Sequence, residues 1–337
     1  MSVGVSITSF GLRFSDMNAR VLFAFGLLIF TLSGCAHFGA NLPVAGTQQV
    51  TSGPVLSGIS DSRTAKRLYI GNDCPGSPPV VTMIPLPLIS NPTEKNMPIP
   101  QSADCAEQIA FHGGFAYIAT PLAGVLVYPL PLTPHTQEAF QLGSTFTNDG
   151  LAFSRSGNLF VADDGSFVVD VYKPPFSQNS SPAFSFGGSQ IMQYQRSFLV
   201  DAQNDLYMVN APYKNVLIYH PPYSKKSVPS VAMTLPNNDF PYVEAFDATG
   251  NLYVAGQMSI YVFQPPFTNS SQPVTTISGS QSGLDYPGGL ALDAAGNLYV
   301  ANQSGGTLLE FVPPFGPTSA PIVTVQGLGE MDSVTIH

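Results

Sequence analysis

Two residues interrupt an otherwise apolar position. Leu151, Phe198, Leu290 and Val334 recur at equivalent places along the chain, and the alignment sets Gln108 and Glu244 at that same place in two other copies. A carboxylate among apolar neighbours must find partners or keep a proton, so Glu244 is a candidate for acid–base or ligand-binding work. Asn148, Asp149, Arg196, Asp285, Tyr286 and Asp332 stand just ahead of similar apolar stretches and extend the candidate ligand face. By this alignment His112 is the only one of the five histidines that falls near it. Together these groups offer hard oxygen donors, an imidazole and a guanidinium. They do not fall into a known catalytic spacing: there is no H-E-x-x-H, no P-loop and no G-x-S-x-G. Gly279-Ser280-Gln281-Ser282-Gly283 has Gln where a nucleophilic serine would stand, and Asp163-Asp164-Gly165 lacks the remaining ligands of a calcium loop. Catalytic residues stay unassigned, and the residues themselves imply no cofactor or assigned metal.

The elements that must position these groups are written several times. Gly288 to Asn302 reads as strand, turn, strand. Leu290 and Leu292 alternate with Ala291, Asp293 and Gly296-Asn297 make a turn, and Leu298-Tyr299-Val300 has strand composition. Thr307 to Phe315 adds a third strand and a Pro-Pro-Phe stop, since proline cannot donate to a ladder. The second-strand cores recur at Leu68-Tyr69-Ile70, Ala116-Tyr117-Ile118, Leu159-Phe160-Val161, Leu206-Tyr207-Met208, Leu252-Tyr253-Val254 and Leu298-Tyr299-Val300, at spacings of roughly 43 to 48 residues, the length of a four-stranded propeller blade. The first copy lacks a first strand, and Val334-Thr335-Ile336-His337 is a first strand left over at the other end. The expected fold is therefore all-β: a six-bladed propeller over 64–337, closed by a C-terminal strand that completes blade one. Asp201, Asp247 and Asp293 then belong to hairpin turns rather than to a site.

Residues 1–35 read as a targeting segment. Arg20 precedes the apolar run Val21–Phe30, which is short for a membrane span. Leu32-Ser33-Gly34-Cys35 follows it and resembles the bacterial lipobox, which implies a lipidated Cys35 (palmitate among its acyl chains) and a cell-envelope protein. Ala36 after the cysteine implies the outer membrane. Met1 and Met17 are both possible starts. Residues 36–63, rich in Gly, Ser, Thr, Gln and Pro, read as a flexible tether. An exported chain meets an oxidising compartment, and Cys74 and Cys105 fall on loops of one propeller face, so they are a disulfide candidate. The net charge of −9 and the scarcity of Lys/Arg clusters exclude nucleic acid as a partner.

The Asp-x-x-Gly-Asn-Leu-Tyr-Val-Ala pattern resembles NHL-repeat and SMP-30-like six-bladed propellers. Three functions are open. The first expectation is a lipid-anchored, monomeric binding or interaction module for an envelope protein or glycan. The second is a metal-dependent hydrolase or lactonase: the SMP-30 resemblance implies a divalent metal on the axis, for which Glu244, Asn148, Asp149 and Asp332 are available, although that family's motifs do not match residue by residue. The third is a lyase resembling the streptogramin-inactivating propellers, which implies a metal and a histidine base such as His112.

Overall fold

The structure, a computed structural model, describes residues 66–72, 78–143, 149–189, 191–192 and 196–337. The targeting segment, Cys35, the tether, Cys74 and Asn148 lie outside the described residues. Among the described residues no helix is long and apolar enough to cross a membrane.

Six four-stranded antiparallel sheets account for the fold. Blade one contains β1 (Arg67–Asn72), β2 (Val80–Pro85) and β3 (Lys95–Pro98). Blade two is β4 (Ile109–His112), β5 (Phe115–Thr120), β6 (Gly124–Pro129) and β7 (Phe140–Leu142). Blade three is β8 (Leu151–Phe153), β9 (Leu159–Asp163), β10 (Val168–Tyr172) and β11 (Phe184–Gly187). Blade four is β12 (Phe198–Val200), β13 (Leu206–Asn210), β14 (Asn215–Tyr219) and β15 (Val231–Thr234). Blade five is β16 (Val243–Phe246), β17 (Leu252–Ala255), β18 (Ser259–Phe263) and β19 (Thr275–Ser278). Blade six is β20 (Pro287–Leu292), β21 (Leu298–Asn302), β22 (Thr307–Phe311) and β23 (Val323–Val325). The last strand, β24 (Met331–Ile336), is the innermost strand of blade one, as expected from the sequence, with Ile70 opposite Val334 and Leu68 opposite Ile336. The inner strands touch in the order β24, β4, β8, β12, β16, β20 and back to β24, so the ring closes. Closure is tight at Gly289, where a Cβ would run into the backbone at Ser333–Val334.

The repeated residues explain the packing. The apolar side chains divide into six clusters, each built from two neighbouring blades. The aromatic that ends each Pro-Pro motif packs edge-on against the second-strand aromatic of the preceding blade: Phe176 on Tyr117 at 5.9 Å, Tyr223 on Phe160 at 4.9 Å, Phe267 on Tyr207 at 5.8 Å and Phe315 on Tyr253 at 5.8 Å. Such offset contacts are the preferred aromatic geometry. Blades one and two, with leucine in place of that aromatic, still share the cis peptide of the motif, at Leu86-Pro87 and Leu130-Pro131.

The hairpin aspartates serve the turns, as their spacing implied. Asp293 accepts backbone N–H bonds from Ala295 at 2.8 Å and Asn297 at 2.9 Å, and the Asn297 amide at 2.9 Å. Asp201 and Asp247 make equivalent bonds at their own turns. This satisfies N–H groups that would otherwise be orphaned at the strand ends.

Candidate site at the mouth of the propeller axis

The strand register assembles one position from the blades into a ring. Ile118, not its neighbour, carries the pattern of Val161, Met208, Val254 and Val300, and its partner on the inner strand is Ile109. The equivalent pairs are Leu151–Val161, Phe198–Met208, Glu244–Val254, Leu290–Val300 and Val334–Ile70. Ile109, rather than Gln108, therefore occupies the apolar layer in blade two. Two residues earlier, in successive blades, stand Asp332, Glu107, Asp149, Arg196, Tyr242 and Gly288. This corrects the sequence alignment by one residue, and it adds Glu107 and Tyr242 to the candidates.

All five side chains of this ring are buried, Glu107, Tyr242 and Asp332 completely. A second row follows the second strands. Asp164 borders Asp149, the Gln257 amide donates to the Tyr242 hydroxyl at 3.2 Å, and the Gln303 amide donates to Asp332 Oδ1 at 3.0 Å. Tyr286 completes the wall. Its N–H donates to the Gln257 carbonyl, its carbonyl accepts from Gln303 N–H, and its ring lies 6.3 Å from that of Tyr242.

Three buried acids against one arginine, with Asp164 behind Asp149, give the ring an unbalanced set of charges. Burial pushes the Glu107 carboxyl well above the usual carboxylate range; Asp332 and Asp149 push it further, Arg196 opposes them, and Asp104 adds to the rise. Asp149 is also raised by burial, against the pull of Arg196 and of a hydrogen bond with Asp164. Neither carboxylate oxygen of Glu107 has a hydrogen-bond partner among the described residues, and Asp149 Oδ1 has none. Buried acceptors without donors are costly, and an ion is one way such acceptors are satisfied.

The fit to a metal can be judged from the donors. Ligand atoms of Glu107, Asp332 and Cys105 lie within 4.8 Å of one another, and all three residues are buried. Cys105 is not a free thiol, however. What remains is a cluster of carboxylate oxygens, with the Gln303 amide anchored on Asp332. Hard oxygen ligands of this kind suit Ca²⁺, Mg²⁺ or Mn²⁺.

The other sequence candidates fall in different places. Asp149, Arg196 and Asp332 belong to the ring, and Tyr286 borders it. Asp285 is half-buried beside Tyr286, and its N–H donates to Asn302 Oδ1 at 3.1 Å. The Gln108 amide is committed to the scaffold: Nε2 donates to the Phe198 carbonyl at 2.7 Å, and Oε1 accepts from Leu151 N–H at 2.7 Å and Phe198 N–H at 3.1 Å. It ties blades two, three and four together instead of facing a ligand. His112 sits at the other end of β4, in the hairpin, with its ring stacked on Phe153 at 4.4 Å. That location takes it off the mouth face and leaves the ring without a histidine base among the described residues. Glu244 lies one layer below the ring, fully buried.

No family model matches the chain, and no curated protein sequence matches it. Solved structures do match. A Bacteroides caccae protein of unknown function superposes with a TM-score of 0.60 at 13% identity, covering 81% of this chain and 99% of that one. The periplasmic gluconolactonase PpgL of Pseudomonas aeruginosa gives 0.56 at 16% identity over 80% and 85%. Virginiamycin B lyase of Staphylococcus aureus gives 0.50 at 10% identity over 72% and 77%. These likenesses establish the six-bladed propeller. At such identity they carry the fold alone.

Proposed function

We propose that the mouth ring is the divalent-cation site of an enzyme of the lactonase or lyase kind. The observation that carries this reading is Glu107: a carboxylate shut away from water with neither oxygen partnered, beside Asp149 and Asp332 and near a single arginine. A passive recognition module, the first expectation from sequence, gives such a costly arrangement no task. Two structural neighbours, a gluconolactonase and a lyase, point in the same direction.

Glu107, Asp149 and Asp332 would hold the ion. Once bound, it would supply Lewis-acid polarisation of a carbonyl or activation of a water. The protein supplies the rest. Arg196 offers charged N–H donors to a carboxylate or oxyanion of the substrate. Gln303 fixes the orientation of Asp332, and Gln257 that of the Tyr242 hydroxyl. Burial raises the Asp149 carboxyl beside Asp164, so the ion would compete there with a proton. A cyclic ester small enough to enter the mouth fits this donor set, and so does a strained ester cleaved by elimination.

The wider setting is part of the proposal. Lipidation at Cys35 would place the enzyme on the envelope, facing outer-membrane glycans or proteins, and the repeats would rank it with NHL and SMP-30-like propellers. Cys105, which is not free, would pair with Cys74 and brace the segment that carries Glu107.

The test is metal binding by the purified domain. Calorimetric titration with Ca²⁺, Mg²⁺ and Mn²⁺ is expected to show one site, lost in Glu107→Gln and retained in Gln257→Ala. A protein that binds none of these ions would end the proposal.

A further inference from the structure

We propose that Glu244 and Ser197 form a second site, for a monovalent cation, in the inner wall of the propeller below the mouth ring. The two residues come from neighbouring blades. Glu244 lies in β16, and Ser197 immediately precedes β12. Both are completely buried, and among the described residues neither the two carboxylate oxygens nor the hydroxyl makes a hydrogen bond of good geometry. They are nonetheless neighbours: burial drives the Glu244 carboxyl well above its usual range, and the Ser197 hydroxyl pulls it back down. Three oxygen atoms thus meet in a dry place, where the Ser197 O–H is the one donor within reach and can serve only one carboxylate oxygen.

Among the described residues the surroundings provide no counter-charge. Glu244 is the only polar member of its layer, the others being Ile109, Leu151, Phe198, Leu290 and Val334. The strands packed against β16, namely β12, β13, β17 and β20, contain no charged residue. Their titratable groups are Tyr207 and Tyr253, whose hydroxyls engage Asp201 and Asp247 of the hairpin turns. Asp201, Asp247 and Asp293 are held in those turns, and Arg196 acts on Glu107 and Asp149. A buried carboxylate in such a setting is neutralised from outside, by a proton or by a small cation. One carboxylate and one hydroxyl carry a single negative charge on hard oxygens, which matches an alkali or ammonium ion rather than a divalent one. The proton and the ion compete for the same oxygens. The inference does not depend on the ring above being catalytic.

Thermal unfolding of the whole protein tests it. The protein is dialysed into tetramethylammonium chloride with a chelator present, then compared in NaCl, KCl and NH4Cl at equal ionic strength. At least one small cation is expected to raise the melting temperature by about 2 °C or more. The gain should vanish in Glu244→Gln, weaken in Ser197→Ala and shrink as the pH is lowered and the proton takes the carboxylate. If Glu244→Gln fails to fold, Ser197→Ala and the line width of ²³Na resonances in the wild-type protein carry the test. Equal melting in all salts, or the same cation response in the variants, overturns the proposal.

Discussion

Replacing Gln108 by leucine tests the structural account most sharply, because its amide serves three backbone groups and no solvent reaches it. The variant keeps a side chain of similar volume but removes one donor and one acceptor. The Phe198 carbonyl loses its Nε2 partner, and the N–H groups of Leu151 and Phe198 lose Oε1. Each orphaned buried group costs about 1–3 kcal/mol. Three of them come to roughly 3–9 kcal/mol, minus about 1 kcal/mol for the better burial of an apolar side chain. Total stabilities of single domains run from about 5 to 15 kcal/mol, so the loss should be a large fraction of the whole. Guanidinium titration followed by fluorescence should show a large fall in midpoint with an unchanged slope. Gln108→Glu should also be destabilised, since a carboxylate cannot donate to the Phe198 carbonyl. A loss below about 1 kcal/mol in Gln108→Leu would mean that the amide does not join the three blades, and the ring register drawn through it would fall.

The remaining predictions concern closure, the disulfide and protonation. Gly289→Ala should cost about 1–3 kcal/mol in a thermal or chemical melt, because the new methyl meets backbone at Ser333–Val334; an unchanged melt would contradict the close approach of β20 and β24. Deleting residues 334–337 should lower the melting temperature sharply by exposing the inner edge of β1, and a truncated protein with wild-type melting would refute the closure. If Cys105 pairs with Cys74, reduction should lower stability by about 3–4 kcal/mol, the value for a loop of that length, and mass spectrometry of the unreduced protein should find the linked peptides. Glu244 has a raised folded pKa, so in a buffer free of small cations its contribution is fully present below the ordinary value of 4.5 and is lost as pH rises through the folded pKa. Stability should therefore fall on going from mildly acidic to alkaline pH, and Glu244→Gln should flatten that slope; identical slopes would show that Glu244 does not titrate there.

The architecture was legible because each blade repeats a physical solution. Alternating apolar residues, an Asp-to-Asn turn and a Pro-Pro stop are local signals, and the unpaired Val334–His337 segment could only be completed by blade one. The site was read less well, and the reason is a single turn. In most copies five residues link the first two strands, as between Leu292 and Leu298, whereas β4 and β5 turn through Gly113-Gly114 alone, with His112 opposite Phe115. Spacing taken from the long turns shifts blade two by one residue. The shift moves Gln108 into the apolar layer, conceals Glu107 and brings His112 toward the wrong face. Because strand side chains alternate, a one-residue slip exchanges every assignment. Aligning Ile109-Ala110-Phe111-His112 with Leu290-Ala291-Leu292-Asp293 would have found Glu107. No sequence signal gives the missing partners of Glu107 and Glu244, which depend on strands far apart in the chain.

The two backbone hydrogen bonds between Arg67 and His337, at 3.0 and 3.1 Å, place the entry of the chain beside its end. Both lie at the hairpin end of the inner strands, where His337 stacks on Phe111, while the acid ring opens at the opposite end. The first described residues therefore leave the ring on the face opposite the acids.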